Sequence, residues 1–210
     1  MATDLQADVQ GIVKRPRAYR LNVKQYLAMA SAGILPGDTR FELLDGLVVK
    51  QMTQNPPHSS TVGRLGRCFN ALLTDDWLVN EDKPVQLDPH WLPVPDVTIL
   101  VGPDRRYDSI MPTAADVGLI IEVSDTTYAT DRGYKRRKYA DIGIPIYWIT
   151  NLAKRQVEVY RQPRGKGVDA AYGSVEVYGN DAAVPVVLAD QEVGRINVAD
   201  LLPSTPAQGA

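Results

Sequence analysis

Apolar residues stand at Val23, Tyr26, Leu27 and Ala30, the spacing of one helical face. Asn22 precedes them as a cap and Gly33 follows as a stop. After the turn signal Pro36-Gly37-Asp38, the run Phe41 to Leu44 predicts a strand, and Leu47 to Met52 predicts its return. Asp45-Gly46 between them is a two-residue hairpin signal. Pro56-Pro57 breaks the return strand and opens a helical stretch from about His58 to Thr74, with Val62, Leu65, Phe69, Leu72 and Leu73 as its apolar stripe. Strands are then predicted at Pro84 to Leu87 and Asp96 to Val101. Gly118 to Val123 is apolar on both faces and rich in β-formers, the pattern of a central strand covered on both sides. A helix should begin at Thr130 or Asp131 and end near Gly143, before an apolar strand from Pro145 to Thr150. Gln156 to Arg161 alternates and should pair with that strand across a turn at Asn151. Weaker strand signals cover Ala170 to Tyr178, Val184 to Leu188 and Glu192 to Asn197, and a short turn covers Val198 to Leu202.

This order, with no internal repeat, predicts a mixed α/β (α+β) domain. It is expected to span residues 20–202 as one unit, with a flexible arm at 1–19 and a disordered Pro/Ser/Gln/Gly tail at 203–210. A chain of 210 residues, 44% hydrophobic and 23% charged, is long enough to bury a full core. No run approaches the roughly 18 apolar residues of a membrane span. The opening MATDLQADVQ lacks the apolar stretch of a secretory signal, so the cytoplasm is the expected compartment. The single cysteine, Cys68, excludes an internal disulfide and a cysteine-rich zinc site. Its neighbours Leu65, Phe69 and Leu72 suggest a buried structural thiol. Two histidines, His58 and His90, form no HExxH pattern. A P-loop, a dinucleotide fingerprint and a nucleophile elbow are also absent, which removes kinase, dehydrogenase and serine-hydrolase readings.

The formal net charge of -2 argues against binding nucleic acid through bulk positive charge. Basic residues are instead concentrated at Arg132, Lys135, Arg136, Arg137 and Lys138, and again at Lys154, Arg155, Arg161, Arg164 and Lys166. Such runs are either solvated faces or local phosphate-binding surfaces; on the second reading, Arg132 and Arg136 contact substrate.

Three acids fall on or beside predicted strands: Glu42 in the first hairpin, Asp96 after Pro95, and Glu122 inside the covered strand. A carboxylate in an apolar central strand is costly unless it is paired or ligates a cation. Asp96 and Glu122 on neighbouring strands would make an oxygen-rich site suited to magnesium or manganese, whereas a salt bridge at a strand end is the plainer alternative. Asp131, Lys135 and Tyr139 are spaced four apart and share a helical face. By spacing alone, Lys135 pairs with Asp131 on a wet surface; packing of the helix against the sheet could instead return it toward Glu122.

PDVTIL, then IIEVSD, then D-x-x-x-K-x-x-x-Y-A and GIPIYWIT follow one another in order. With FELLDGLVVKQM and PPHSSTVGRLGRCFNALL before them, these segments resemble the Uma-two family of restriction-endonuclease-like proteins, within the PD-(D/E)xK nuclease superfamily. The resemblance runs from about residue 20 to 162. It implies a restriction-endonuclease-like fold, a mixed β-sheet core flanked by helices, here with extra C-terminal strands. It implies an Mg2+ (or Mn2+) ion between Asp96 and Glu122, with the Val123 carbonyl in the ion's shell and Glu42 as an additional acid. The lysine position two residues after the second acid is Ser124 here, so the resemblance moves that role to Lys135, with Asp131 and Tyr139 fixing its rotamer. His58 matches a family histidine that contacts substrate or caps its helix. Ile146 departs from the acid often found before Tyr147-Trp148. The implied activity is metal-dependent endonucleolytic hydrolysis of phosphodiester bonds in DNA, with a homodimer where both strands are cut. A nuclease-like domain without turnover, binding nucleic acid or a protein partner, is the alternative, and a regulatory or toxin–antitoxin partner is a third.

Overall fold

In the computed structural model, residues 18–204 are described. The predicted arm and tail lie almost wholly outside this range. Helix α1 (Val23–Ser31) is closed at its start by a reciprocal pair, in which the Asn22 side chain accepts from the Gln25 N–H and the Gln25 side chain accepts from the Asn22 N–H. Strands β1 (Phe41–Leu44) and β2 (Leu47–Lys50) pair antiparallel around Asp45-Gly46. Both turn residues have positive φ, 48° and 75°, as a type I′ turn requires.

Helix α2 (Pro56–Leu72) starts earlier than the sequence pattern suggests. Pro56-Pro57 opens it, as expected, and forms its first turn, because the first helical residues have no intrahelical partner for an N–H in any case. The Asn55 side chain caps the helix through the His58 N–H at 3.0 Å.

A six-stranded sheet has the order β3-β4-β5-β6-β7-β8. Its members are β3 (Trp77–Glu81), β4 (Val97–Val101), β5 (Val117–Ser124), β6 (Ile146–Asn151), β7 (Gln156–Arg164) and β8 (Ala171–Gly179). Only β5 and β6 run parallel, because only they are joined by a helical crossover long enough to return the chain. That crossover contains α3 (Tyr128–Thr130), a π turn (Asp131–Lys135) and α4 (Arg136–Ile142). A separate hairpin of β9 (Ala183–Leu188) and β10 (Gln191–Asn197), then α5 (Val198–Leu201), completes the described chain.

Each sheet face carries its own core. Leu119, Ile121 and Val123 join Phe69, Trp148 and Val159 under α2 and the β9–β10 hairpin. Ile120 packs with Tyr139, Tyr147 and Tyr160 under α4. The alternation along β5 follows from the two-residue period of a strand. All eight residues of β5 are buried, as its doubly apolar pattern predicts.

Two expectations fail. Pro84 to Leu87 forms no strand; Gln86 makes only an isolated bridge to Thr113, and the nearby Pro84, Pro93 and Pro95 have no N–H to give a ladder. Strand β3, which was not anticipated, takes the sheet edge instead. Cys68 is half-buried against the α2 core, not sealed within it. Among the described residues no helix is long and apolar enough to cross a membrane.

Candidate active site

Beside the ends of β4 and β5 lies an open cavity of about 720 Å³. Its walls are the β1–β2 hairpin, the segment from Gln51 to Asn55, the start of α2, and the stretch from Asp125 to Lys135. Register places the acids. Val97 of β4 faces Ile121 of β5, so one step further Asp96 stands opposite Glu122. Glu122 follows Ile120 by two on the α4 side of the sheet, a polar residue on an otherwise apolar stripe.

Every oxygen of these acids with a partner has it for a clear reason. Tyr139 Oη donates to Glu122 Oε1 at 2.7 Å, and Lys135 Nζ lies 3.0 Å from the same oxygen. Among the described residues Glu122 Oε2 takes no hydrogen bond. Asp96 Oδ2 accepts the Val123 N–H at 2.7 Å and stands 3.2 Å from His58 Nε2, while Gln54 Nε2 donates to Oδ1 at 3.4 Å. Glu42, also buried, accepts the Val94 N–H at 3.3 Å. Asp131 is 1% exposed. Ser124 and Thr127 hydroxyls each donate to its Oδ2 at 2.6 Å, and its Oδ1 is 3.6 Å from Lys135 Nζ.

The crossover helix is not regular where it meets these groups. The Arg136 N–H reaches back five residues to the Asp131 carbonyl, and Tyr147 Oη donates to that carbonyl as well at 3.2 Å. Such wide turns collect at functional sites, and here both members of the Asp131–Lys135 pair lie inside one.

Four carboxylates around one lysine set the electrostatics. Burial alone would lower the Lys135 pKa, but Glu122, Asp131, Glu42 and Asp96 outweigh it and hold the ammonium charged. Burial pushes the Glu122 carboxyl up; Lys135 opposes this, while Asp96 and Asp131 add to it. Glu42 is raised for the same first reason, burial, against the pull of Lys135. Burial disfavours the His58 cation, yet its contact with Asp96 leaves the pKa raised. The other ring nitrogen of His58, Nδ1, is buried and has no partner among the described residues.

Glu42, His58, Asp96, Glu122, Asp131 and Lys135 thus line a single cavity. Tyr139 meets Glu122 and not the lysine whose rotamer it was expected to fix. Val123 does not line the cavity: its N–H anchors Asp96 and its side chain sits in the α2 core. Arg132 and Arg136 lie outside it too. Arg132 Nε is 3.5 Å from Glu158 Oε2, and the Arg136 guanidinium is 5.4 Å from the Tyr160 ring centre. Sequence reasoning passed over Gln54, Asn55 and Ser124. Asn55 before Pro-Pro is a readable cap, and its Nδ2 also donates to Asp125 Oδ2 at 2.6 Å. Nothing local marks Gln54. Ser124 stood out as a missing lysine, whereas its hydroxyl steadies Asp131.

The donor set suits a small hard cation. Among the described residues no three acidic, histidine or cysteine side chains form a ready cage for an ion. Magnesium, however, usually keeps several waters and takes one or two carboxylates together with substrate phosphates. Glu122 Oε2, unpartnered beside Asp96, is the kind of oxygen such an ion uses.

A family model described as "Putative restriction endonuclease" (Uma2, the Uma-two family) matches residues 23–198. Among solved structures, the chain is similar to a protein from Anabaena variabilis ATCC 29413 described as a "putative nuclease belonging to DUF820". The two share 17% identity with a TM-score of 0.61, over 86% of this chain and 97% of the other; at that identity the likeness concerns the fold. No curated protein matches the chain.

Proposed function

Because the chain belongs to the Uma-two family, whose description is "Putative restriction endonuclease", we propose that it is a divalent-metal-dependent endonuclease that hydrolyses phosphodiester bonds in DNA. The observation that carries this reading is Glu122, 3% exposed, within 3.0 Å of a charged lysine, its second oxygen standing beside Asp96 with no hydrogen bond among the described residues. Asp96 and Glu122 would hold the ion, Glu42 would assist, and the Val123 main chain serves by fixing Asp96. A magnesium or manganese ion bound there would acidify a water and neutralise charge on the scissile phosphate.

The chain's own residues supply the positioning. Lys135 presents an ammonium that stays protonated to the oxygens that gain charge in the transition state. Asp131, held by two hydroxyls at 2.6 Å, fixes where that ammonium stands. Tyr139 orients Glu122, and His58 and Gln54 orient Asp96. Locking carboxylates through hydrogen bonds of this kind preserves ligand geometry.

Glu122→Gln tests the reading. The amide keeps an acceptor for Tyr139 and the same volume, but it cannot offer a charged oxygen. Magnesium-dependent cleavage of plasmid and oligonucleotide DNA should fall by at least about 100-fold, measured at a temperature where circular dichroism shows both proteins folded. A variant that cuts as fast as the parent overturns the site. Metal-independent binding of DNA by both proteins, with cleavage by neither, would favour a nuclease-like binding domain.

A further inference from the structure

The cavity does not by itself attract a polyanion. Six carboxylates line it, Asp38, Glu42, Asp96, Glu122, Asp125 and Asp131, against three permanent cations, Arg40, Lys50 and Lys135. The net charge of the whole chain is -2, so attraction for a nucleic-acid backbone has to be local.

A concentration of cations lies next to the cavity on the crossover helix. Thr127 and Thr130 line the cavity, whereas Tyr128 and Arg132 of the same turns reach a second buried acid, Glu158. Glu122 pairs with Ile149, and Ile149 with Glu158. The two glutamates therefore share one face of the sheet two strands apart, about 10 Å. Glu158 is 2% exposed and fully engaged. Tyr128 Oη and Tyr160 Oη donate to it at 2.6 and 2.5 Å, Gln156 Nε2 donates at 3.1 Å, and Arg132 stands at 3.5 Å. Over the two tyrosines sit three cations. Arg132 and Lys154 are 5.8 and 5.7 Å from the Tyr128 ring centre, and Arg136 is 5.4 Å from that of Tyr160. Arg132 and Lys154 are exposed. Among the described residues Arg136 and Lys154 have no acidic partner.

We propose that Arg132, Arg136 and Lys154, seated on Tyr128 and Tyr160 and anchored by Glu158, form a platform that binds the phosphodiester backbone of a nucleic acid extending from the cavity. This inference rests on the nuclease reading. The platform contacts phosphates and not bases. Tyr160 is buried, and Arg132 and Lys154 lie over the Tyr128 ring, so neither ring is free to stack on a base as single-strand binders require. Cation–π contact holds the guanidinium and ammonium groups at the surface without neutralising them. The contribution is accordingly independent of sequence, and it compensates for the acidity of the cavity.

The test is fluorescence anisotropy on labelled single-stranded and duplex oligonucleotides, in chelator to prevent cleavage, across a salt series. The Arg136→Gln/Lys154→Gln double variant leaves the Arg132–Glu158 contact intact and so leaves the buried acid compensated. Losing two phosphate contacts should lower the slope of log affinity against log salt by about 1.8 for duplex or about 1.4 for a single strand. The substrate on which the slope falls identifies the form that the platform holds. Glu122→Gln should keep the parental slope while losing cleavage. A double variant with the parental slope on both substrates overturns the platform, and the nuclease reading survives if the parent still cuts. A parent that neither binds nor cuts either oligonucleotide overturns both.

Discussion

Replacing Asp131 by asparagine removes one charge from the cavity and almost no volume, so its consequences can be worked out contact by contact. Ser124 and Thr127 donate to Asp131 Oδ2 at 2.6 Å, and these bonds become neutral ones. A hydrogen bond to a charged group contributes roughly 1.5–3 kcal/mol and a neutral one roughly 0.5–1.5, so each loses about 1 kcal/mol. On the other side, the amide nitrogen would face Lys135 Nζ, now 3.6 Å from Oδ1. Removing a partner from a buried ion pair costs about 3–5 kcal/mol. Here Glu122 still compensates the lysine at 3.0 Å, so only a fraction of that applies. The total is about 2–4 kcal/mol, a fall in Tm of roughly 4–16 °C for a chain of this size. Circular dichroism melts of the two proteins side by side measure it. Cleavage should fall further than stability explains, by about 10–100-fold at a temperature where both are folded. A Tm within about 2 °C of the parent's, a shift smaller than 1 kcal/mol produces, would refute the argument that Asp131 holds Lys135 in place.

Two further expectations concern the scaffold. Burial alone would raise the Glu158 carboxyl, but donors from Tyr128, Tyr160 and Gln156, with Arg132, lower it below the usual carboxylate range. Its contribution is therefore complete above the unfolded value, about 4.3, and is lost as pH falls through the folded one. Glu158→Gln should flatten the loss of stability on acidification below about pH 4, read from urea midpoints at several pH values; an acid limb as steep as the parent's would contradict the assignment. Phe69 is fully buried with its ring 5.7 Å from that of Trp148, so Phe69→Ala should cost about 3–5 kcal/mol. A urea midpoint close to the parental value would mean that this face of the sheet repacks.

Most of the scaffold is legible because its signals are local. Asn22 and Gly33 bound α1, Asp45-Gly46 makes the hairpin, and the doubly apolar run around Ile120 and Ile121 becomes the central buried strand. Pairing is less legible. Trp77–Glu81 becomes the sheet's edge strand although Asn80 and Glu81 dilute its pattern, since an edge strand needs only one covered face. Pro84 to Leu87 has the composition of a strand, but ladder pairing depends on which neighbours can donate, and residues far along the chain decide that.

The site divides along the same line. Asp96 and Glu122 are readable because a carboxylate inside an apolar strand needs a reason, and register then sets them opposite each other. Lys135 is not readable from spacing alone. The interval from Asp131 fits a solvent-exposed pair equally well, and only the packing of the crossover against β5 converts it into a half-buried cation shared with Glu122. The π turn that accommodates this geometry has no sequence signature, because an i+5 hydrogen bond is favoured by nothing in the side chains. It is imposed from outside the helix. Ser124 and Thr127 hold the Asp131 carboxylate, Tyr147 holds its carbonyl, and Glu122 draws in the lysine one turn later. A helix fixed at both ends of one turn by the sheet beneath it takes the extra residue there. The strand position of Ser124 thereby supplies the hydroxyl that holds Asp131, and Asp131 in turn stands 3.6 Å from Lys135.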